Sequence, residues 1–542
     1  MHVRTLVVIV VAACTAPRAV GPTDAPGGSR EDAIEDVGDA EGDERDDSDV
    51  VFDPTLVHRV DLSMDADAWA DISGNYTAET WHTADFAMDG EVVEDIGVRA
   101  FGAGSQSYGK TPLKLSFDRV VDGQEYRGLE QLKLDSSTQD AGFLNDPLAA
   151  WVLRELGLPA ARSGWAEVFV NGASYGFFIV LEPIDDVFLR RWYDDDAGAL
   201  YGTWDWRYGQ GLNLITWGGP LDWYVPQTSV ETDGSDLLAA IDAVSVGSDE
   251  DFAALVDVDR IMGVSVTRAM MGAIDAFSAD GNNFYLYSEQ GRITTIPWDM
   301  DADLGYPGYF TNAMEMGLEE PWVWSHARYN PVTGAVYSDP VYARARGLGW
   351  DIEGWQARAA AGPLDWETVD ATVVEWADVI GESACRDWFH SCAAHEARVA
   401  DLRFFLHARL SRLAGEEVAS CAASTLTFSS GVAAVAPDVT YWGPGFVVNG
   451  EHYCTGVYAA AELLTTVVEA GTLRGRVGLH DWNAACTAPV TFTVSQGGVA
   501  LASNVVAPYS DAVPFSVAVA GGEVTLTTAP ANACGVWVDL SQ

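Results

Sequence analysis

Lysine is almost missing. Of thirty basic residues in 542, three are lysine, Lys110, Lys114 and Lys133, and all fall in one short window. Positive charge as a whole is scarce: thirty Lys and Arg face eighty Asp and Glu, a formal net charge of −50. A surface of that sign repels phosphate backbones, which excludes a nucleic-acid-reading or nucleic-acid-coating role. It also repels anionic small substrates unless a local basic pocket overcomes the wider field, so the positions of the few cations are informative. Long apolar runs are lacking too. Beyond a short one at the N-terminus, no segment is long and apolar enough to span a bilayer as a helix. There is no CxxC pair, which argues against zinc. What is abundant is core material: 48% hydrophobic residues, with twenty Trp and twenty Phe, in a length that allows about three domains.

The N-terminus, "MHVRTLVVIVVAAC", carries Arg4, an apolar run, and small residues directly before Cys14. It reads as an export signal over 1–13. The small residues before the cysteine resemble a bacterial lipobox, which implies a lipid on Cys14 and anchoring at the cell surface or in the periplasm; an ordinary secretory signal is the alternative. Residues 14–53 are an acidic tether. Within 21–50 there are twelve acids, two arginines and almost no large apolar side chain, a self-repelling composition that predicts disorder. Six cysteines follow, Cys385, Cys392, Cys421, Cys454, Cys486 and Cys534. An even number in an exported chain predicts disulfides, with Cys385 and Cys392 pairing locally.

Residues 54–415 mix helix and strand signals. "VEDIGVRAFG", "TPLKLSFDRV", "AEVFVNGASYGFFIVLEPI" and "NNFYLYSEQGRITTIPWDM" alternate apolar and polar positions, and the third holds an Asn-Gly hairpin turn. "NDPLAAWVLRELGLP" predicts a helix with an Asn cap, ended by Gly157 and Pro159. "DVDRIMGVSVTRAMMGAIDAF" predicts a buried helix. From 421 to 542 helical periods nearly vanish, and short strands such as "VTFTVSQ" alternate with turn residues, predicting a separate all-β sandwich. The fold class is therefore α+β. The tryptophan-rich stretch 203–224 predicts core or lid packing, with a sugar or peptide platform as the alternative.

The densest chemistry lies in "DAFSADGNNFYLYSEQGRITTIPWDMDADLG", residues 275–305. A hairpin there places Asp275, Asp280, Asn282 and Asn283 at one mouth, and Asp299, Asp301 and Asp303 after the returning strand. Hard oxygen donors at this density suit Mg2+, Mn2+ or Ca2+. The D-x-D-x-D run fits the first ligands of an EF-hand, but Leu304 stands where glycine is needed and Phe310 where glutamate is needed. An EF-hand is excluded; a different structural calcium site remains open.

Lys114 lies in the strand "TPLKLSF", facing away from Leu113 and Leu115, and Lys110 precedes it after the glycine-bearing stretch "RAFGAGSQSYG" that Arg99 introduces. A glycine-bearing turn followed by a strand lysine is one way of covering and neutralising nucleotide phosphates. A compact ammonium on a flexible stem is not replaced by guanidinium in that task. The ordered blocks "VRAFGAGSQSYGKTPLKLSFD", "LKLDSSTQDAGFLNDPLAAWVLRELGLPAARSGWAEVFVNGASYGFFIVLEPID" and "NNFYLY…IPWDMD" resemble the CotH family of spore-coat-type atypical protein kinases, over roughly residues 54–410. The resemblance implies a kinase-like core that uses ATP with Mg2+ or Mn2+. By position it assigns phosphate contacts to Lys114, helped by Lys110 and Arg99, a covering turn to Gly102, Gly104 and Ser105, and a place near the nucleotide to Glu182. Asp275 takes the place of the catalytic aspartate, with Asp280 as rival and a helix-terminal cap as its bland alternative. Asn283, Asp299 and Asp301 take the metal. This chain has Asp135-Ser136 where the family usually has Asn-Asn, and "GAGS" where it has a "GNSS"-like turn. The C-terminal region faintly resembles NPCBM-type carbohydrate-binding modules, which implies a glycan partner.

These readings predict an exported, lipid-anchored kinase that transfers the γ-phosphate of ATP to Ser or Thr of a surface or secreted protein, without a nucleic acid partner. The alternative is a non-catalytic surface scaffold that binds glycan or a protein.

Overall fold

The computed structural model describes residues 47–102, 109–194, 196–203, 224–227, 230–279, 281–306 and 340–415, scattered residues between 313 and 337, and most strands from 446 to 541. The signal, residues 14–46 of the expected tether, the aromatic stretch 204–223, Asp280, Gly104, Ser105 and all cysteines except Cys385 and Cys392 lie outside the described residues. The end of the expected tether is not disordered: Asp47–Phe52 form a 3-10 turn whose Val51 and Phe52 are buried in the apolar core of the barrel.

Seven strands close into a barrel in the order β1-β2-β3-β4-β5-β7-β6. They are β1 (Val57–Met64), β2 (His82–Met88), β3 (Glu91–Ala100), β4 (Leu113–Ser116), β5 (Gln131–Asp135), β6 (Ser163–Val170) and β7 (Ala173–Leu181). All neighbours are antiparallel except β1 with β6, which closes the barrel in parallel. The side-chain period of two explains the inside and the outside. Val98, Leu113, Leu115, Leu132, Leu134 and Val180 fill the apolar interior, so Arg99, Lys114 and Lys133, at the intervening positions, point away from it. The hairpin between β6 and β7 turns at Asn171 and Gly172, both with positive φ (50° and 78°), as the Asn-Gly signal predicts.

Helix α1 (Ala66–Gly74) follows β1, and α2 (Asn145–Glu155) joins β5 to β6. Asn145 is not the cap of α2: the preceding residue, Leu144, holds that position without a side-chain bond. The Asn145 amide instead reaches the carbonyls of Asp301 and Asp303 (2.7 and 3.0 Å). Gly157 ends the helix at φ +70°, as expected.

A second sheet has the order β11-β10-β8-β9, from β8 (Leu200–Thr203), β9 (Tyr224–Pro226), β10 (Phe284–Glu289) and β11 (Arg292–Pro297). Around it lie α3 (Asp186–Trp192), α4 (Ser235–Ser245), α5 (Asp249–Leu255), the buried α6 (Val258–Met270), α7 (Pro340–Gly347), α8 (Ile352–Ala360), α9 (Trp366–Ala384) and α10 (Cys392–Leu413). One apolar core runs from α2 through α6 to α9 and α10. A disulfide joins Cys385 to Cys392, as expected.

Two short ladders, β12 (Arg328–Tyr329) with β13 (Val336–Tyr337) and β14 (Phe446–Val448) with β15 (Glu451–Tyr453), precede the C-terminal sheet. That sheet has six strands in the order β16-β21-β17-β20-β18-β19: β16 (Gly456–Tyr458), β17 (Leu463–Leu479), β18 (Val490–Gln496), β19 (Val499–Val506), β20 (Val513–Ala529) and β21 (Gly535–Ser541). The region contains no helix among the described residues, as expected. The second facing layer of a sandwich is not among them. No described helix is long and apolar enough to cross a membrane.

Candidate functional site

The hairpin β10–β11 pairs Phe284 with Pro297, so its open end sets Asn282 and Asn283 beside Trp298 and Asp299. Asp275 arrives from the loop after α6. It does not cap that helix, whose C-cap is Met271. Its carboxylate is gripped by two amides: Asn282 Nδ2 donates to Oδ1 (2.9 Å) and Asn283 Nδ2 to Oδ2 (3.0 Å). The Asn283 amide also lies 3.2 Å from the carbonyls of Asp275 and Asp299, tying the two ends of the mouth together. No described residue donates to Asn283 Oδ1. Asn283 and Asp299 both have φ +52°, a left-handed conformation that Asn and Asp tolerate best and that gathers at functional sites.

Two further carboxyls complete the cluster. Asp135, at the end of β5, was noted only as a departure from the family pattern, and Asp146, in the first turn of α2, was not singled out from the sequence. Their effect is electrostatic. Burial first, and then Asp146, Asp135 and Asp275, push the Asp299 carboxyl well above the usual range. Burial and then Asp299 do the same to Asp301. Asp146 is raised to about 7 by burial and by Asp135, against a stabilising hydrogen bond from the Met300 backbone. Like charges held this close oppose one another's ionisation, and a cation relieves them.

Burial raises Asp303 too, but it has a partner that opposes the rise. It forms a two-pronged ion pair with Arg268 of α6 (3.0 and 2.7 Å), with both side chains buried. It is the anchor of the loop, and the aspartates at 299 and 301 are left to the mouth.

The cations stand in a row. Ladder registers set Arg99 opposite Lys114 and Lys114 opposite Lys133, which spaces neighbouring side chains by about 5 Å at their Cβ atoms. Lys133 Nζ lies 5.1 Å from the centre of the Trp298 ring, next to Asp299, whose carboxyl it eases downward. Among the described residues neither Lys114 nor Lys133 has a carboxylate within 4.0 Å. Lys114 is half-buried, and desolvation, then Lys133, then Arg99, bring its ammonium down to about 8. The sequence left Lys133 without a role; its place beside Trp298 makes it the link between the cation row and the acidic mouth.

Other assigned residues have different partners. Lys110 is fully buried against Asp387 (3.0 Å) and the Phe177 carbonyl (2.5 Å), facing a protein carboxylate where a phosphate was expected. Glu182 is enclosed by Arg162, which donates to it at 2.8 Å, and by Arg191. Arg99 pairs with Glu79 and stacks over Trp81. Gly102 has φ +99°, a conformation suited to glycine, at the entrance to the expected covering turn.

The donor set suits a hard divalent cation. Asp275, Asp299, Asp301 and the Asn283 amide oxygen offer only oxygen, and the carboxyls repel one another. Among the described residues no three of these carboxyls bring their oxygens within 4.8 Å. An all-protein calcium cage gathers more donors than this, whereas Mg2+ is held by one or two carboxylates plus phosphate oxygens and water. The calcium alternative is therefore disfavoured.

The chain is mixed α+β, with a lysine row beside an Asp/Asn mouth. Residues 98–346 match the family model described as CotH kinase protein, which upholds the resemblance for that segment. Among curated proteins, Inner spore coat protein H of Bacillus subtilis (strain 168) is 25% identical over 222 residues, covering 39% of this chain and 59% of that protein. The chain thus spans about three-fifths of that relative's length. Solved structures match as well. CBM51-2 with GlcNAc and INT domains, from Clostridium perfringens ZmpB, is 17% identical over 21% of this chain and 28% of that one, with a TM-score of 0.19. CBM51 from Clostridium perfringens GH95 in complex with methyl-galactose is 15% identical over 21% and 90%, with a TM-score of 0.18. Scores this low carry no argument for this chain.

Proposed function

We propose that this protein is an exported kinase of the CotH type that transfers the γ-phosphate of ATP to a Ser or Thr hydroxyl of a surface protein. One observation carries the reading: two recessed lysines, without carboxylate partners among the described residues, adjoin a mouth of carboxyls that burial and mutual repulsion hold above their usual range. A nucleoside triphosphate with a divalent metal completes both halves. The phosphates neutralise Lys114 and Lys133, and Asp299, Asp301 and Asn283 Oδ1 would hold the metal. When bound, the metal offsets charge on the phosphate oxygens. Asp275, its carboxylate oriented by Asn282 and Asn283, accepts the proton of the attacking hydroxyl. The lipid on Cys14 and the surface location belong to this proposal.

The test is incubation of the full chain with labelled ATP and Mg2+ or Mn2+, beside Lys114→Ala and Asp275→Asn. Label transfer by the wild type that both variants lose supports the reading. Transfer that persists in both overturns the site, and no transfer by any sample favours the scaffold alternative.

Nucleotide binding is also expected to take up protons. Burial and the neighbouring cations bring Lys114 to about 8, so about half of it is neutral at pH 8. A bound triphosphate raises that value and restores the charge. Calorimetry at pH 8 in two buffers of different ionisation enthalpy should show uptake of about half a proton, lost in Lys114→Met and fading toward pH 6.5.

A further inference from the structure

The loop closed by the Cys385–Cys392 disulfide lies outside the site, yet it grips the segments that enter β4 and leave β5. These strands carry Lys114 and Lys133. Asp387 Oδ1 meets Lys110 Nζ at 3.0 Å and accepts from the Phe177 backbone at 3.0 Å, while its Oδ2 accepts from the Phe389 and His390 backbones of its own loop. Trp388 Nε1 donates to the Tyr175 carbonyl at 2.7 Å. The Tyr175 hydroxyl in turn accepts from the Thr111 N–H and donates to the Thr111 carbonyl (2.8 and 3.0 Å), two residues before β4. At the other strand, His390 Nε2 lies 2.9 Å from the Ser137 carbonyl, two residues past the end of β5.

The fit is built into the barrel. Gly176 of β7 has φ +133°, and a Cβ there would fall 2.7 Å from Asp387 Oδ1 and 3.0 Å from Lys110 Cε. Only glycine leaves room for the buried pair. Burial lowers Lys110 to about 8 even with Asp387 beside it, so the ammonium depends on that carboxylate to remain charged. Both cysteines are partly exposed, within reach of a reductant.

We propose that Asp387 is a positioning residue for the lysine row, acting through Lys110 and the loop, and that the Cys385–Cys392 disulfide makes this hold redox-dependent. The consequence for nucleotide affinity rests on the kinase reading above. A dithiol supplies two electrons and two protons, is itself oxidised to a cyclic disulfide, and leaves Cys385 and Cys392 as two thiols. The loop then loses its closure, and β4 and β5 lose a shared clamp.

The experiment uses the full chain as wild type, as the Cys385→Ser, Cys392→Ser pair, and as Asp387→Asn and Asp387→Glu. The double serine variant removes this disulfide alone, whereas a dithiol acts on the whole chain. Hydrogen exchange is expected to quicken about tenfold over Leu113–Ser116 and Ser137–Asp140 in the serine and Asn variants, with α6 unchanged as a control for global unfolding. The KM for ATP should rise about tenfold while kcat stays within about twofold, a coupling of ordinary size, and Asp387→Glu should recover part of it. Unchanged exchange in both variants overturns the inference, as does an unchanged KM in an active enzyme. If the wild type neither binds nor turns over ATP, the kinase reading fails separately, and exchange alone decides the clamp.

Discussion

Asp299→Asn is expected to lower phosphoryl transfer about 10³-fold, as loss of a group that fixes transition-state charge does elsewhere, and at the same time to stabilise the metal-free protein. The second half follows from sign. The folded-state pKa of Asp299 is raised by burial and by Asp146, Asp135 and Asp275. A carboxyl shifted upward contributes stability below its unfolded value near 4, and loses it as pH rises through the folded value. At neutral pH its charge is therefore a cost, which the isosteric amide removes. A gain of about 1 kcal/mol, seen as a rise of about 2–4 °C in the thermal midpoint, is the expected size. Millimolar Mg2+ should stabilise the wild type more than the variant, because the cation relieves repulsion that the variant no longer has. A variant that is both inactive and less stable without metal would show that Asp299 is structural.

The second large effect lies beneath the mouth. Arg268→Ala leaves Asp303 buried without its partner, and removing one member of such a pair costs about 3–5 kcal/mol. Arg268 also feels Asp275 and Asp146, so its loss raises repulsion across the whole cluster. Thermal and denaturant unfolding of the variant should show a large loss of stability, accompanied by failure of metal binding. Arg268→Met combined with Asp303→Leu fills the same space without burying a charge and should recover most of the stability. If it recovers stability but not metal binding, the pair also shapes the loop that presents Asp299 and Asp301.

Much of this was legible locally. The alternation in "TPLKLSF" predicts that Lys114 turns away from Leu113 and Leu115, and the closed barrel puts those two leucines inside it. The Asn-Gly turn and the Gly157 helix end also follow from local backbone preference. The cysteine spacing pointed to the local disulfide. Asn145 reads as a helix cap because caps are a local habit; its side chain was taken instead by two carbonyls far along the chain.

The sharing-out of charge was not legible. "DMDAD" shows three equivalent aspartates, yet Arg268 removes Asp303 from the set. Lys110 and Lys114 read as joint phosphate ligands, yet Asp387 takes the first. Glu182 looked available and is enclosed by Arg162 and Arg191. Asp135, Asp146 and Lys133 were given no part in the site because none lies in the Asp-rich hairpin segment 275–305.

By itself, then, the amino-acid order determined the kinds of local structure, the family blocks and the confinement of lysine to one window, because short-range sterics and side-chain periodicity act between near neighbours. Only the tertiary structure decided which ammonium met which carboxylate. Ion pairing is a contest settled by distance through space, and a partner many residues away wins when the fold brings it within about 3 Å.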